Sequence, residues 1–397
     1  FVPLTIIVLA GAGVLVGFLI YYGRINLVIV TIIGLILFYG AMAVSGNLPM
    51  KFANPQVNKF VWIIFALVFS FFGSVLPIWS FVQPINYLAF FTILFGMIGV
   101  ILGLIVGHPN LVAPAVTKFT VDGLPLWPIL FVTIACGAIS GWHSIVSSTG
   151  TSRQLEKETD ARPVAGGSMF LEMMLGLIAL VIVSVSKTKG AWFTLFGDGM
   201  GDIFHYIGLP ASWGKAYGPV MIVILAITIL HLVVRFMRIA TNELLGKAIP
   251  VLKSQVLGTM VALVLTFILV FTGSFNYIWV LFGSANQLMA SLALLICSVW
   301  LVSQKRSSNY TFIPMIFMYV TTMTALFITS FQLFQQAATG KDLASKSLPA
   351  GTIIGNWFAG IIGVILFIAA IILAYDGIKA FLKYRSLENV SSHASSC

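Results

Sequence analysis

Long apolar runs follow one another along almost the whole chain, and they restrict its fold more than any other feature. Such runs lie at about residues 4–22, 26–45, 60–82, 86–107, 127–146, 166–186, 218–239, 255–273, 277–303, 310–334 and 353–375. Each is close to the ~20 residues that a helix needs to cross a bilayer. Because backbone polar groups inside lipid must bond within their own segment, helices are the expected structure. The sequence therefore predicts an all-α, polytopic transmembrane helical bundle of about eleven spans.

The composition agrees with a membrane protein. Hydrophobic residues make up 59% of the 397 residues and charged residues 8%, against roughly 25% charged residues in soluble domains. The net charge of +10 is spread over many connections, which indicates basic loops rather than a nucleic-acid surface. Three widely separated cysteines show neither disulfide nor metal-site spacing, so we expect no metal and no cofactor. The expected organisation is a single helical domain over residues 1–385 and a polar cytoplasmic tail over residues 386–397.

The basic residues also predict an orientation. Alternate connections carry 13 of the 21 Lys and Arg side chains, among them Arg153, Lys157 and Arg162. Cytoplasmic loops carry the excess of positive charge in membrane proteins. We therefore expect the loop of residues 152–163 and the C-terminus to lie in the cytoplasm.

Five segments place polar or helix-breaking residues inside or beside the apolar runs. The first is "VLPIWSFVQPINYL", where Pro77 and Pro84 remove backbone donors and Trp79 and Gln83 supply polar edges. One interpretation is a kink and a tight turn between two spans. The other is a broken helix that lines a site.

The second segment is "GAISGWHSIVSSTG", which begins inside an apolar run and ends in a charged loop. On a helix, Ser140, His143, Ser144 and Ser147 form one polar stripe. The stripe is typical of hydrogen bonding between helices near the membrane surface, or of the wall of a substrate pathway. An intramembrane Ser–His hydrolase is disfavoured because no acid is placed to orient His143.

Glu172 lies inside the span that begins near Gly166. An ionised carboxylate at this depth is expensive, so it must be paired, protonated or exposed to water. A structural pair with an arginine is one possibility. A titrating or ion-binding carboxylate is the favoured one, because intramembrane acids commonly mark proton and cation paths.

The fourth segment is "TILHLVVRFMR". Thr228, His231, Arg235 and Arg238 step by three, four and three residues, so they share one face of a helix. The two arginines are expected to extend to the cytoplasmic surface. His231 lies deeper and is the histidine best suited to a proton-linked role.

The fifth segment is "WVLFGSANQLMA", in which Gly283, Ser284, Asn286 and Gln287 interrupt an apolar run. Amide side chains in mid-membrane need partners, so this helix is expected to face the bundle interior. We also expect breaks in the helices at Pro77 and Gly283, opening onto a cavity shared with the serine and histidine stripe.

Together these segments resemble the carbon starvation protein A (CstA) family of inner-membrane transporters. The resemblance rests on "VLPIWSFVQPINYL", "PAVTKF", "TIACGAISGWHSIVSSTGTSRQLEKETDARPVAGGSMFLE" and "WVLFGSANQLMA", which occur in the family's order. It implies a carrier of peptides or of a small carboxylate such as pyruvate, driven by protons or another cation. It also implies part of a fold with inverted repeats and broken helices like LeuT, in a bacterial inner membrane.

Two departures from the family pattern matter for function. The resemblance implies several spans ahead of the point where this sequence begins, so the chain is expected to lack N-terminal spans, and a transport-inactive sensor or assembly subunit is the alternative function. The family's T-x-L-D-T-x-T-R-x-x-R pattern keeps Thr228, Arg235 and Arg238, but His231 replaces the acid. The resemblance implies a substrate pathway formed by Ser140, His143, Ser144, Ser147, Trp79, Gln83, Asn286 and Gln287, and a coupling site formed by Glu172, His231 and Thr228.

Overall fold

The computed structural model describes residues 2–45, 48, 50, 52–116, 118–121, 124–134, 139–188, 190–272, 275–342 and 345–394. Thirteen α-helices account for most of these residues. In chain order they are α1 Val2–Tyr21, α2 Leu27–Val44, α3 Pro55–Val75, α4 Val82–Gly107, α5 Leu126–Thr133, α6 Gly141–Thr149, α7 Gly167–Val185, α8 Trp192–Tyr206, α9 Ala211–Leu245, α10 Gln255–Thr272, α11 Phe275–Ser303, α12 Asn309–Thr339 and α13 Ala350–Ala394. Between α4 and α5, strands β1 Thr120–Val121 and β2 Leu124–Pro125 form a short antiparallel pair.

The predicted helical membrane fold is confirmed. Nine helices of the described residues are long and apolar enough to cross a membrane, and a tenth, Gln255–Phe271, is apolar but shorter. The remaining predicted span, residues 127–146, is wrong as a single helix: α5 ends at Thr133, and α6 begins at Gly141. Apolar residues continue through the whole segment, so the composition gives no sign that the helix stops after Thr133.

Local signals explain where several helices begin and end. The Asn54 side chain accepts hydrogen bonds from the N–H groups of Gln56 and Val57 at the start of α3, and Pro55 takes the first helical position. Such a cap satisfies donors that the first turn leaves without partners. At the other end, Leu76 is extended and Pro77 follows, which stops α3.

Contacts within the chain divide it into two compact units. The first consists of Phe1–Ala115 and Met174–Ile268, and the second of Val116–Met173 and Leu269–Cys397. The single domain over residues 1–385 stays a prediction. α13 continues to Ala394, so it includes most of the polar segment predicted to follow the last span.

Helix α9 is central to the first unit, where it packs against α1, α3, α4 and α8. Close approach to α8 depends on glycines: a Cβ at Gly214 would lie 2.6 Å from the Cα of Gly201. The connection between the predicted spans 166–186 and 218–239 therefore contains a helix, α8, whose small residues let it pack directly on α9. Apolar residues of α1, α3, α4 and α9 form one core, including Leu9, Phe69, Leu88 and Ile224.

In the second unit, α11, α12 and α13 pack on one another, and the short helices α5 and α6 lie against α11. Leu281, Leu288, Leu326 and Leu333 are the main buried apolar residues of this unit's core. Unlike the prediction, α11 passes through Gly283 without a break. The helix break of this unit lies between α5 and α6.

Candidate functional site

The second unit contains an interrupted helix within the predicted span of residues 127–146. α5 ends at Thr133 and α6 begins at Gly141, and Ile134, Ile139 and Ser140 are not helical. Cys136 and Gly137 lie outside the described residues. An interruption frees backbone carbonyls at the end of α5 and N–H groups at the start of α6. Inside a membrane these groups need partners from the protein or from water.

The end of α5 is held by Gln287 of α11. Its Nε2 donates a hydrogen bond to the carbonyl oxygen of Phe131 at 2.7 Å. Phe131 is in the last turn of α5, so its carbonyl has no partner within the helix. Gln287 is 1% exposed, and its Oε1 has no hydrogen-bond partner among the described residues.

The start of α6 is held by the neighbouring amide, Asn286. Its Oδ1 accepts hydrogen bonds from the N–H of Trp142 at 2.8 Å and from the hydroxyl of Ser140 at 3.4 Å. The Ser140 hydroxyl oxygen accepts in turn from the N–H of His143 at 3.2 Å. Ser140 therefore acts as the N-cap of α6, and Asn286 satisfies a second donor of the same turn.

Glycine makes this contact possible. A Cβ at Gly141 would lie 2.2 Å from the carbonyl oxygen of Asn286, and a Cβ at Gly283 would lie 2.4 Å from that of Val132. Both glycines thus bring one backbone against another, as small residues do in membrane helices. Gly283 therefore allows two backbones to pack closely, and the prediction that it breaks its helix is wrong.

A cavity of about 390 Å³ opens beside the end of α5. Its apolar wall includes Ile129, Trp279 and Phe282; its polar wall consists of Thr133, Ser284, Thr329 and Gln332. The size falls within the range of small-molecule sites, which combine an apolar lining with a few polar groups. The stripe residue Ser144 bonds the carbonyl of Gly141, and the exposed Ser147 bonds that of Ser144, so neither hydroxyl is committed to another helix.

The polar partner of Glu172 is His143, at 3.3 Å between Oε2 and Nε2. The side chains are 29% and 38% exposed. The alternative of a structural pair with an arginine is therefore wrong for the described residues, and so is the expectation that no acid is placed to orient His143. A histidine and a carboxylate in contact can share, gain or lose a proton, which is the chemistry that a proton-linked carrier needs.

In the first unit, Arg235 and Arg238 hold the end of α3. Arg235 donates to the carbonyl oxygens of Gly73 and Leu76 at 2.8 and 2.9 Å, and Arg238 donates to that of Ser74 at 2.9 Å. The expectation that these arginines extend to the surface is wrong. Carbonyls at a helix C-terminus carry partial negative charge, which favours a cation.

His231 and Thr228 lie beside this helix end on α9. His231 is 0% exposed, and neither ring nitrogen has a hydrogen-bond partner among the described residues. It packs against α3, where a Cβ at Gly73 would lie 2.4 Å from the Cβ of His231. The Thr228 hydroxyl donates to the carbonyl of Leu225 in its own helix.

Trp79 and Gln83 occupy an exposed edge of the first unit. The Trp79 ring contacts that of Tyr21 with centroids 5.0 Å apart, and the Tyr21 hydroxyl donates to Oε1 of Gln83 at 3.4 Å. α3 and α4 are separate helices joined by residues 76–81, as the interpretation of a turn between two spans requires. The structure thus brings Ser140 to Asn286 and His143 to Glu172, and it joins Trp79 and Gln83 through Tyr21.

Sequence reasoning missed several residues of these sites. Gly73, Ser74 and Thr259 adjoin the arginine contacts, and the hydroxyls of Ser74 and Thr259 are 3.0 Å apart in a buried pair. Thr329 and Gln332 of α12 line the cavity. Hydroxyl groups at helical spacing in an apolar helix could have marked these residues as polar contacts. Such spacing does not show which other helix they contact.

Comparison with known proteins identifies relatives along most of the chain. The sequence profile of the family described as "Carbon starvation protein CstA" matches residues 2–195 and 184–325. The pyruvate/proton symporter BtsT of Escherichia coli K12 is 25% identical over 90% of this chain and 66% of its own length. The peptide transporters CstA of Bacillus subtilis 168 and E. coli K12 are 29% and 27% identical over 64% and 65% of this chain.

The alignments cover 51% and 48% of those two peptide transporters. The chain thus spans between about half and two thirds of the length of these relatives. No solved structure matches it.

Proposed function

Because the chain belongs to the carbon starvation protein CstA family, we propose that it is a secondary-active carrier of a bacterial inner membrane. The proposed cargo is a peptide or a small carboxylate such as pyruvate, and the proposed driving force is a proton gradient. The names of the relatives, a pyruvate/proton symporter and peptide transporters, support this proposal. The observation that carries it is the interrupted helix α5–α6, capped on both sides by adjacent amides of α11.

Interrupted helices suit a carrier because they place free backbone groups and helix ends beside a cavity at membrane depth. Here the cavity of about 390 Å³ lies at the α5 side, with Thr133, Ser284, Thr329 and Gln332 as hydrogen-bonding groups. Asn286, Gln287 and Ser140 position the two helix halves. Ser144, Ser147 and His143 extend polar surface from the interruption toward the charged loop. Trp79 and Gln83 remain proposed pathway residues at the exposed edge of the first unit.

Proton coupling is assigned in this proposal to His143 and Glu172. Their contact lets one proton change the charge of the pair, and both side chains are accessible enough to exchange protons with a pathway. His231 and Thr228 form a second proposed coupling position. A fully buried imidazole without hydrogen bonds is uncharged in this arrangement, so gaining a proton there requires a movement that supplies a partner.

The test is uptake of labelled pyruvate or dipeptide into proteoliposomes that contain the purified chain, with and without an inward proton gradient. Gradient-driven uptake is expected in the wild type. Glu172→Gln and His143→Gln are expected to lower gradient-driven uptake at least tenfold and to leave membrane insertion intact. Glu243→Gln, an exposed carboxylate of α9, is the matched control.

Normal gradient-driven uptake in both variants would remove the pair from coupling. Absence of uptake in a well-folded wild type, with any cargo tested, would favour the transport-inactive sensor or assembly subunit instead.

The proposed orientation places the C-terminus and the loop of residues 152–163 in the cytoplasm. Ser152 is exposed, so a Ser152→Cys variant in a background without other cysteines reports its side of the membrane. An impermeant thiol reagent should label this variant after cell lysis and not in intact spheroplasts. Labelling of intact spheroplasts would reverse the orientation.

A further inference from the structure

An apolar cleft of about 560 Å³ lies between α11 and α13 in the second unit. Its walls are mainly aliphatic and include Leu292, Leu295, Ile296, Leu373 and Ala380. Trp300 and Ser303 line it in the last turn of α11, and Tyr384 lines it on α13. Unlike the cavity beside α5, it offers hardly any polar surface to a soluble ligand.

The two helices run parallel, so the end of α11 lies beside α13 before α13 ends at Ala394. Gly363 of α13 packs against Leu281 of α11, and Gly377 packs against Leu295. Both pairs have the same separation in sequence, so the register is constant along the cleft. The same register places Arg385 level with the end of α11 at Ser303.

Positive charge collects at this end of the cleft. Lys305 and Arg306 follow α11 directly, and Lys379, Lys383 and Arg385 lie on α13. All five are exposed, and none forms an ion pair with a described side chain. The exposed Asp376 lies among them on α13, and Glu388 follows them in the sequence, so positive charges still outnumber negative charges at this end.

Backbone hydrogen bonds hold the segment that carries the first two charges against the end of α11. The N–H of Arg306 donates to the carbonyl of Leu301, and that of Lys305 donates to the carbonyl of Val302, both at 2.9 Å. Lys305 has a φ of 55°, the left-handed position that glycine usually takes in this C-terminal motif. A lysine at this position accepts backbone strain and gains a charge at the mouth of the cleft.

The dimensions match one leaflet of a bilayer. From Leu292 to Ser303 the helix rises about 16 Å at 1.5 Å per residue, and half of a ~30 Å hydrocarbon core is about 15 Å. Trp300 and Tyr384 lie toward the basic end, where aromatic side chains favour the membrane–water interface. By the register above, Asp376 and Lys379 lie level with Leu294 and Cys297, so the charges of α13 begin within the length of the cleft, and Lys305, Arg306 and Arg385 mark its headgroup end.

We propose that this cleft binds an anionic phospholipid. One acyl chain lies along the aliphatic walls, and the phosphate contacts Lys305, Arg306 and the basic residues of α13. A zwitterionic lipid fills the same walls but lacks the net negative charge that complements the five cations. Basic pockets between membrane helices bind anionic headgroups in this way. This inference does not depend on the proposed transport activity.

The test is native mass spectrometry of the purified full chain with added phosphatidylglycerol or phosphatidylcholine of the same acyl chains. Phosphatidylglycerol is expected to bind more tightly. The double variant Lys305→Gln, Arg306→Gln should weaken its binding about 10- to 30-fold, because each basic residue near a headgroup contributes about fivefold. Binding of phosphatidylcholine should change less than twofold.

The matched control is the double variant Lys341→Gln, Lys346→Gln, which removes the same charge near the start of α13. It should change the binding of neither lipid. Ala380→Phe should weaken binding of both lipids by filling the cleft, whereas Ile365→Phe on the exposed face of α13 should not. If the double variant folds poorly, added salt should weaken phosphatidylglycerol binding to the wild type, since screening acts on the headgroup contacts.

Equal binding of the two lipids that resists salt and the double variant would overturn the proposal. So would a dimer of the chain that forms without lipid and that Ala380→Phe disrupts, because a second copy would then occupy the cleft.

Discussion

Each unit contains a helix end whose free backbone groups are bonded by side chains of a neighbouring long helix, but the two units use different side chains for this. In the first unit, α3 stops at Val75, and two arginines of α9 donate to the carbonyls near its end. In the second unit, α5 stops at Thr133 and α6 starts at Gly141, and two neutral amides of α11 hold both ends. Each pair belongs to one long, continuous helix that crosses the interrupted position.

The difference follows from what each group can donate or accept. A guanidinium only donates, and its charge is favoured at the negative end of a helix, so arginines suit the single C-terminus of α3. A C-terminus and an N-terminus together need both a donor and an acceptor. Amides supply both without introducing charge. The charge near the interruption of the second unit then comes from His143 and Glu172, which is where we place proton coupling.

The largest effect that tests this comparison is expected at Arg235. Arg235→Ala leaves the carbonyls of Gly73 and Leu76 without their donor in an apolar setting, so we expect a loss of about 3 kcal/mol in the free energy of unfolding. Arg238→Ala removes one such bond and should lose about half as much. Unfolding in mixed detergent micelles measures both, with the exposed Lys247→Ala as control. Equal losses of stability in Arg238→Ala and Lys247→Ala would show that the effect comes from removing a positive charge and not from removing a hydrogen bond to the helix end.

A smaller effect is expected at Gly141, where the second unit brings two backbones together. Gly141→Ala places a Cβ 2.2 Å from a backbone carbonyl oxygen, and overpacking of this kind destabilises by about 1–3 kcal/mol. Gly176→Ala in α7 meets nothing within 4 Å and should be neutral or slightly stabilising, because alanine is the better helix former. The same micelle unfolding separates the two; similar stabilities for both variants would contradict the close contact of α6 with α11.

The amides themselves should have a more modest effect on stability. Asn286→Leu removes the acceptor for Trp142 and Ser140, and hydrogen bonds between membrane helices contribute roughly 0.6–2 kcal/mol each. We expect a loss of about 1–2 kcal/mol, and a smaller one for Gln287→Leu, which removes one bond. Asn286→Asp keeps the acceptor oxygen beside the positive N-terminus of α6 and should retain more stability than Asn286→Leu. The reverse order would contradict the capping role.

The smallest effect is expected at an ion pair between α8 and the first turns of α9, before the apolar run of residues 218–239. Asp198 of α8 lies 3.1 Å from Lys215, and the hydrogen bond from that lysine lowers the pKa of Asp198 despite its partial burial. A lowered pKa stabilises the fold above the ordinary aspartate range, near pH 4, and this stabilisation is lost as the pH falls below that range. The Lys215 side chain is 52% exposed, so water screens the pair, and such pairs contribute about 0.2–1 kcal/mol.

Asp198→Asn should therefore destabilise slightly at pH 7 and flatten the pH dependence of unfolding below about pH 5. Lys215→Met should have a similar effect at pH 7, and the double variant should add little to either. Additive losses would mean that the two side chains do not act as a pair.

Much of the architecture follows from the sequence. Apolar runs predict most of the helices, since a ~20-residue run can satisfy its backbone inside lipid only as a helix. The polar positions were also visible: Ser140, His143, Glu172, His231, Arg235, Asn286 and Gln287 each interrupt an apolar pattern. The expectation that such groups need partners came from the same physics. The helix stop after Thr133 was not visible, because apolar residues continue past it.

The sequence by itself determined that this chain is a helical membrane protein of the CstA type, because apolar length and a distinctive motif order are properties of the chain alone. Only the tertiary structure decided which polar groups meet. Gln287 reaches the end of α5, Asn286 the start of α6, and Arg235 the end of α3, at sequence separations of 144 to 162 residues. The physical reason is that a buried polar group must find a partner, and periodicity within one helix does not say which other helix supplies it.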